Sequence, residues 1–512
     1  MSEIIGFRYR LIVLAVAVSL FSGLTAQSLS VRDLQRLTLP LTIRSLKNHE
    51  HNPATMVARD SVSISSFAVG SDIERQEKAV MEQLGDGHDL FSISADSYTR
   101  LGSESAVWGS ASFVTGSYHS VRWTDCIDYV RVAPYVLGDE AGGDLSTRSY
   151  RFSGGYAHDF DRWSVGVQAA YRAEIAYRNR DPRVKTVVSD LDISLGGAYK
   201  VGSGNVIGLK AGINVYSQNC DLDFYNPLNE INTYTLTGMG TYYKRFMGNA
   251  NKNSGYSSFG YDLGLQWLPL EKSGLSVTVG YAGYRMEQQL RNYNNLTLGY
   301  TDNDILDWNI AYRVDVGDAV TLQPAFDGGI YRRKGTENLF GSSAGSSYDR
   351  IGSVSPYSHD VSRFRFSVPM QFGKHSRVLT LSPSVAYESD EERYSDPLRK
   401  QRVSHIIPGL QADFSSVSGR KWLWNASVSG SYAKVCQSES ILTDLDTATA
   451  LGQCVVSNYS MLSADRLRFG ADVGLSRTVL SFILSLKVGY RLTDFRGEDL
   501  CHGMAISLAA EF

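Results

Sequence analysis

Long apolar runs are absent from nearly the whole chain. Beyond the amino-terminal leader the most apolar stretch, residues 479–486, stops at Lys487, and mean hydropathy is −0.19. Nothing there approaches the ~20 consecutive apolar residues of a spanning helix, which excludes a helical membrane protein. Cysteine is scarce as well: Cys126, Cys220, Cys436, Cys454 and Cys501 are an odd, scattered set without C-x-x-C spacing, which excludes a disulfide framework and the usual zinc and redox motifs. Cys436 and Cys454 fall in one expected loop, where pairing and free thiols both stay open. An excess of either charge is missing too. Lys and Arg number 50 against 53 Asp and Glu, a net charge of −3, so there is no basic footprint for nucleic acid. Proline is rare at 12, whereas glycine at 47 and tyrosine at 30 are plentiful. Length alone would suggest two to four soluble domains for 512 residues. A wall of β-strands that shows lipid only every second residue fits this composition better, because its average looks soluble.

Alternation is what the chain does have. Trp163, Val165, Val167, Ala169, Tyr171, Ala173, Ile175 and Tyr177 are apolar at every second position, with Ser164, Gln168, Arg172 and Glu174 between them. Such period-two patterning marks a strand with one apolar face. It recurs in pairs across short turns: Leu191 to Tyr199 with Ile207 to Val215, Phe259 to Trp267 with Leu275 to Tyr281, Leu306 to Val314 with Val320 to Phe326, Phe364 to Phe372 with Leu379 to Tyr387, Ile406 to Phe414 with Trp422 to Tyr432, and Leu467 to Leu475 with Leu480 to Tyr490. Met504, Ile506, Leu508, Ala510 and Phe512 form a closing strand that ends on an aromatic. Longer polar connections, residues 217–255, 287–304, 331–360, 388–403, 434–460 and 492–502, alternate with the short turns. That asymmetry predicts an all-β fold, a transmembrane antiparallel up-and-down β-barrel with tight periplasmic turns and long outer loops. Counting back from Phe512 gives 14 strands to Trp163; Tyr150 and a strand over 129–137 make about 16, within a range of 14–18 whose upper end counts strands near Phe91 and Val107, the alternative for these being an inner element.

At the amino terminus Arg8 and Arg10, an apolar run from Leu11 to Leu20, and small residues up to Ala26 read as a cleaved secretory signal over 1–26. Residues 27–88 are expected to be a periplasmic or plug segment, with the first strand of the barrel as the further alternative. There Leu34, Leu37, Leu39, Leu41, Ile43 and Leu46 fit neither period, Val62 to Val69 suggests a strand, and residues 73–84 suggest a short amphipathic helix. The barrel is expected over 89–512.

If the apolar parity faces lipid, the opposite parity faces inward and brings Arg172, Glu174, Asp190, Asp192, Lys210, Asp262, Asp307, Arg313, Arg363, Arg365, Asp472 and Lys487 with it. So much charge is incompatible with a dry core. It implies a water-filled passage or a network of ion pairs around a plug.

Catalytic and metal motifs are weak. Gly341-Ser342-Ser343-Ala344-Gly345 fits G-x-S-x-G but sits in a Gly/Ser loop, without the strand-to-helix turn that the motif needs. His158, His375 and His405 have no serine partner by spacing. His49-Glu50-His51 would splay its ligands, and the acidic clusters at 302–304 and 389–392 lack a full calcium-loop signature. No enzyme, metal or cofactor is expected.

Asn52-Pro53-Ala54 resembles the NPA tripeptide of fatty-acid-channel outer-membrane barrels, which implies an amino-terminal hatch and hydrophobic ligands, although Thr55 stands where the following glycine is usual. Tyr135 to Asp139, Gly142-Gly143-Asp144, Gly154-Gly155-Tyr156 and Tyr177 to Arg183 resemble an uncharacterised outer-membrane barrel family of Bacteroidota. That resemblance implies location and fold, and no substrate. The expected function is an outer-membrane channel or uptake component for small or hydrophobic solutes; the alternative is a non-transporting barrel serving as surface anchor or partner of an uptake or secretion complex. Expected partners are outer-membrane lipid, the barrel assembly machinery and a small-molecule solute, with a further envelope protein possible.

Overall fold

In the computed structural model the described residues are 29–512, apart from 203, 227, 229, 249–251, 271–272, 318, 345–346 and 374–375. The leader read over 1–26 and His375 lie outside them. A strand that borders lipid must find partners for its backbone N–H and C=O groups on both sides, and closing the sheet on itself is the general solution. Here Ile64–Gln76 pairs antiparallel with Gly87–Leu101 on one side and with Asp499–Glu511 on the other. The remaining neighbours pair in sequence order, giving a closed wall of 18 long strands. Val320–Leu322 and Met370–Phe372 carry two of these strands past Pro324 and Pro369, where a missing N–H breaks the ladder.

The count exceeds 16 for identifiable reasons. Ile64–Gln76 lies inside the stretch assigned to the amino-terminal segment, and its pattern is diluted by Ser65, Ser66, Ala68, Gly70 and Ser71. The wall therefore begins at Ile64, not at residue 89, and residues 73–84 form no helix. Gly87–Leu101 and Ser105–Val121 are also wall strands. Residues 129–137, expected as a wall strand, instead form one helical turn, Tyr129–Val132, followed by the short strand Val136–Asp139. Their apolar side chains serve an interior plug, with Val132, Tyr135, Val136 and Leu137 all buried.

Outward positions are the apolar parity: Trp163, Val165, Leu195, Leu209, Phe259, Leu263, Phe366, Leu410, Val473 and Ile506 are all exposed. Toward the loop end the strands outrun this belt. Leu296–Val316 has 21 residues, whereas about 9–11 cross a bilayer at a tilt. The connections expected at 287–304, 331–360 and 388–403 are thus mostly continued hairpins, polar on both faces because both faces meet water.

Residues 29–63 fold inside the turn end as a hatch. Val31–Thr38 (α1) opens with a capping box between Ser30 and Asp33. Leu39 is extended because it precedes Pro40, the first residue of Pro40–Glu50 (α2). That break resets the helical phase, which is why the leucines of this stretch follow no single period. Leu29, Val31 and Leu34 pack on Val417, Leu423 and Ile483 of the wall, each fully buried aliphatic contributing about 1.5–3 kcal/mol. After α2 the chain crosses to the opposite wall. The Asn52 amide donates to the carbonyls of Gly197 (3.3 Å) and Leu209 (3.1 Å), while its Oδ1 accepts from the Ala54 N–H (2.9 Å). Arg36 ties the two ends of the hatch together through a two-pronged pair with Asp60, both contacts at 2.7 Å.

Glycine makes the room for this crossing. A Cβ on Gly166 would lie 2.4 Å from the Pro53 carbonyl carbon, and one on Gly196 would lie 1.9 Å from Asn52 Oδ1. Gly166→Val is expected to unseat the hatch by about 1–3 kcal/mol while leaving wall pairing intact. Tryptic cleavage at Arg44, Lys47 or Arg59 should accelerate roughly tenfold, with unchanged far-UV circular dichroism.

Candidate functional site

A second set of segments folds in from the loop end. Val136–Asp139, Thr233–Gly238 and Thr241–Tyr242 make a small sheet separate from the wall. Trp123, Cys126, Val132 and Val136 pack with Leu236, with Leu451 and Cys454 of the helix Ala450–Leu462 (α3), and with the inward wall residues Val188, Tyr216, Tyr256 and Met286.

Wall cations hold these segments by their backbone carbonyls. Arg333 donates to Val130 (2.9 Å), Arg131 (3.1 Å) and Ala133, Arg399 to Met239 (2.7 Å) and Asp444 (3.0 Å), and Lys252 to Phe246 (2.6 Å). None of the three was singled out from sequence. Arg333 and Arg399 lie in stretches read as loops, where no parity marks an inward side chain.

At mid-height the expected inward charges divide into two groups. On one wall they pair with each other or with in-folded segments. Arg172 bonds Asp128 (2.9 Å) and Glu174 (3.1 Å) and approaches Asp190 (3.4 Å). Arg131 bonds Asp190 (2.9 Å) and stacks over the Tyr216 ring at 4.0 Å, and the Tyr216 hydroxyl donates to Asp128 (2.8 Å). Asp192 accepts from Asn214 (2.8 Å), and Lys210 pairs with Asp262 (2.8 Å). Asp307 lies against the Cα side of Gly280, and Arg313 is close to the turns, with its Nε buried and unpartnered.

The opposite wall is different. Arg363 and Arg365 sit across from Glu388 and Ala386 in the register and make no ion pair among the described residues; neither does Arg468. They border a continuous space of about 990 Å³ above α2, with Arg44, Lys47, Asp327, Asp413 and Glu388 also on its wall. Beside it lies a lobe of about 480 Å³ lined by Arg44, Arg365, Arg468, Arg491 and several serines, with no carboxylate. Arg44 bonds Asp327 (2.7 Å) and Arg491 bonds Asp72 (2.6 Å). Arg468 and Arg491 were not singled out from sequence, although both occupy the polar parity beside Leu467, Phe469, Val488 and Tyr490. Neither were Arg44 and Lys47, because the hatch shows no period. Asp472 and Lys487 lie further toward the turns, Asp472 opposite Gly489 and Lys487 opposite Gly474.

The other motifs resolve into local structure. Gly341–Ala344 ends a strand that returns as Ser347–Ser367, so no helix follows the serine. His49 is half-buried in α2, where desolvation pushes its imidazole down to about 4, and Glu50 pairs with Arg59 (2.8 Å). Cys436 and Cys454 are free thiols, Cys436 bonded to the Ser404 carbonyl.

Asp125, Cys126 and Cys220 bring one ligand atom each within 4.8 Å of one another. Their polar demand is met inside the chain: Asp125 accepts from Cys126 Sγ (3.1 Å) and Ser254 Oγ (3.0 Å). Full burial pushes the Asp125 carboxyl up to about 7.

The fold and site thus define an eighteen-stranded β-barrel with a hatch at the turn end and in-folded loops at the other. The chain belongs to the family of unknown function DUF6850, which it matches over residues 53–512. No curated protein matches it. Among solved structures it is similar to BauA, the ferric preacinetobactin receptor from Acinetobacter baumannii, at 10% identity and TM-score 0.40, over 88% of this chain and 79% of that one. It is also similar to a Pseudomonas aeruginosa FadL homologue at 13% identity and TM-score 0.33, over 90% and 92%, and to the copper transporter OprC at 10% and 0.36, over 87% and 81%. Likeness at this level is to barrels as a class.

Because the folded carboxyl of Asp125 titrates near 7 and the unfolded one at 3.8, the folded state holds a proton that the unfolded state releases. The Asp125 contribution to stability therefore falls as pH rises from about 4 to about 7 and is level above that. Asp125→Asn should melt higher than the parent at pH 8 and equal it at pH 4, read by thermal unfolding in detergent.

Proposed function

We propose that the protein is an outer-membrane uptake barrel whose route runs through the chamber and is closed at rest. The turn end faces the periplasm and the tall hairpins face outward. A solute enters past the in-folded loops, occupies the space above α2, and leaves when the hatch shifts.

The observation that carries this reading is the chamber itself. A purely structural barrel gains nothing from leaving Arg363, Arg365 and Arg468 unpaired around about 990 Å³, whereas a solute site needs both the space and the free donors. Beyond the apolar seats of Leu29, Val31, Leu34, Met56 and Val57, the hatch is held by separable contacts, among them the Arg44–Asp327 pair, the Gln266 amide on the Asn48 carbonyl (2.6 Å) and the Asn52 contacts. Each is a hydrogen bond or ion pair with a modest net worth of about 1 kcal/mol for a neutral bond and more for a charged one. A limited set of such contacts can be exchanged without disturbing the wall. The polar lining favours polar solutes over hydrophobic ones.

In planar bilayers the full chain is expected to be nearly silent, and a variant lacking residues 29–60 to give stable conductance steps. Retained heat-modifiable migration would show that the variant barrel is folded. Silence of the folded deletion variant would refute the uptake reading and favour the surface anchor or complex partner.

A further inference from the structure

The lobe beside α2 has a chemistry of its own. Four guanidinium groups reach it from four separate elements: Arg44 from α2, Arg365 from Ser347–Ser367, Arg468 from Arg466–Val479 and Arg491 from Phe482–Phe495. Two of them are neutralised, Arg44 by Asp327 and Arg491 by Asp72. Arg365 and Arg468 are not, and no carboxylate lines the lobe. One nitrogen of Arg44, Nη1, is buried without a hydrogen-bond partner. Between the arginines stand hydroxyls, among them Ser384 and Ser431, which bond no other side chain among the described residues. Like charges converging on one space raise each other's energy, and a bound anion relieves this. Guanidinium groups meet carboxylate or phosphate oxygens in two-pronged, charge-assisted bonds, and flanking hydroxyls suit a hydroxylated neighbour. A space of about 480 Å³ admits a molecule of monosaccharide to disaccharide size.

We propose that this lobe binds a small hydroxylated anion, a sugar bearing a carboxylate or a phosphate, with Arg365 and Arg468 as the primary anion-binding residues. Arg44 contributes its unpartnered nitrogen from the hatch, so the occupied site touches the segment that must move. The proposal rests on the uptake reading for its biological sense, but binding is measured separately from passage.

The test uses the full chain in detergent, with galacturonate and glucose 6-phosphate as the two anionic probes and glucose as the neutral control, by isothermal titration calorimetry. At least one anion should bind, glucose should not, and affinity should fall with added salt. The double change Arg365→Gln with Arg468→Gln should weaken binding at least about tenfold. Arg332→Gln, an exposed outward position, should leave it unchanged. Intact heat-modifiable migration checks folding of both variants. Which probe binds more tightly separates carboxylate from phosphate. No binding of either anion, glucose binding as tightly, or an unaffected double variant would overturn the inference. Liposomes carrying the variant without residues 29–60 separate the two claims: passage of solutes without calorimetric binding of either anion to the full chain leaves uptake standing and sinks the anion site, whereas calorimetric binding without passage of any solute sinks uptake alone.

Discussion

Closure of the wall is the constraint on which everything else depends. The pairing of Ile64–Gln76 with Asp499–Glu511 leaves no open edge, so backbone polarity is satisfied within the ladder. Every strand then has one face that must be apolar and one free to be polar. The inward face is thus available for charge at no cost in lipid. It is also the face against which the hatch and the in-folded loops must find their partners.

That inward face is used in two ways. On the wall built from residues 143–290, acids and bases are matched, and much of the matching is with in-folded segments: Arg172 with Asp128, Arg131 with Asp190. On the wall built from residues 347–495, arginines at mid-height remain available to solvent. Partly shielded ion pairs specify how the interior segments sit, and unpaired cations set what the remaining space attracts. Ion pairs around in-folded segments on one side and a chamber bordered by unpaired arginines on the other therefore coexist in one barrel.

How much of this was legible in the sequence follows from period and partner. Where one face met lipid, alternation named the strands and the inward parity, so Arg363 and Arg365 stood out in the sequence. Above the belt both faces are polar and the signal vanishes, so the hairpins bearing Arg333 and Arg399 read as loops. The hatch hid because Leu39–Pro40 resets the helical phase between α1 and α2. Residues 129–137 misled in the opposite direction: apolar enough for a wall strand, they spend that character on an interior plug. Asn52-Pro53-Ala54 marks where the hatch meets the wall. Its physical content is an asparagine that binds two wall carbonyls and a proline that presses against a glycine.

The central claim is that the hatch must move for a solute to pass. The Cβ site of Gly196 lies 3.1 Å from the Asn52 side-chain carbon, close enough for a cross-link between the hatch and the wall. A variant carrying Asn52→Cys and Gly196→Cys, reconstituted in liposomes and assayed for solute uptake, should be blocked when oxidised and recover on reduction. Undiminished uptake through the fully cross-linked protein would contradict the account.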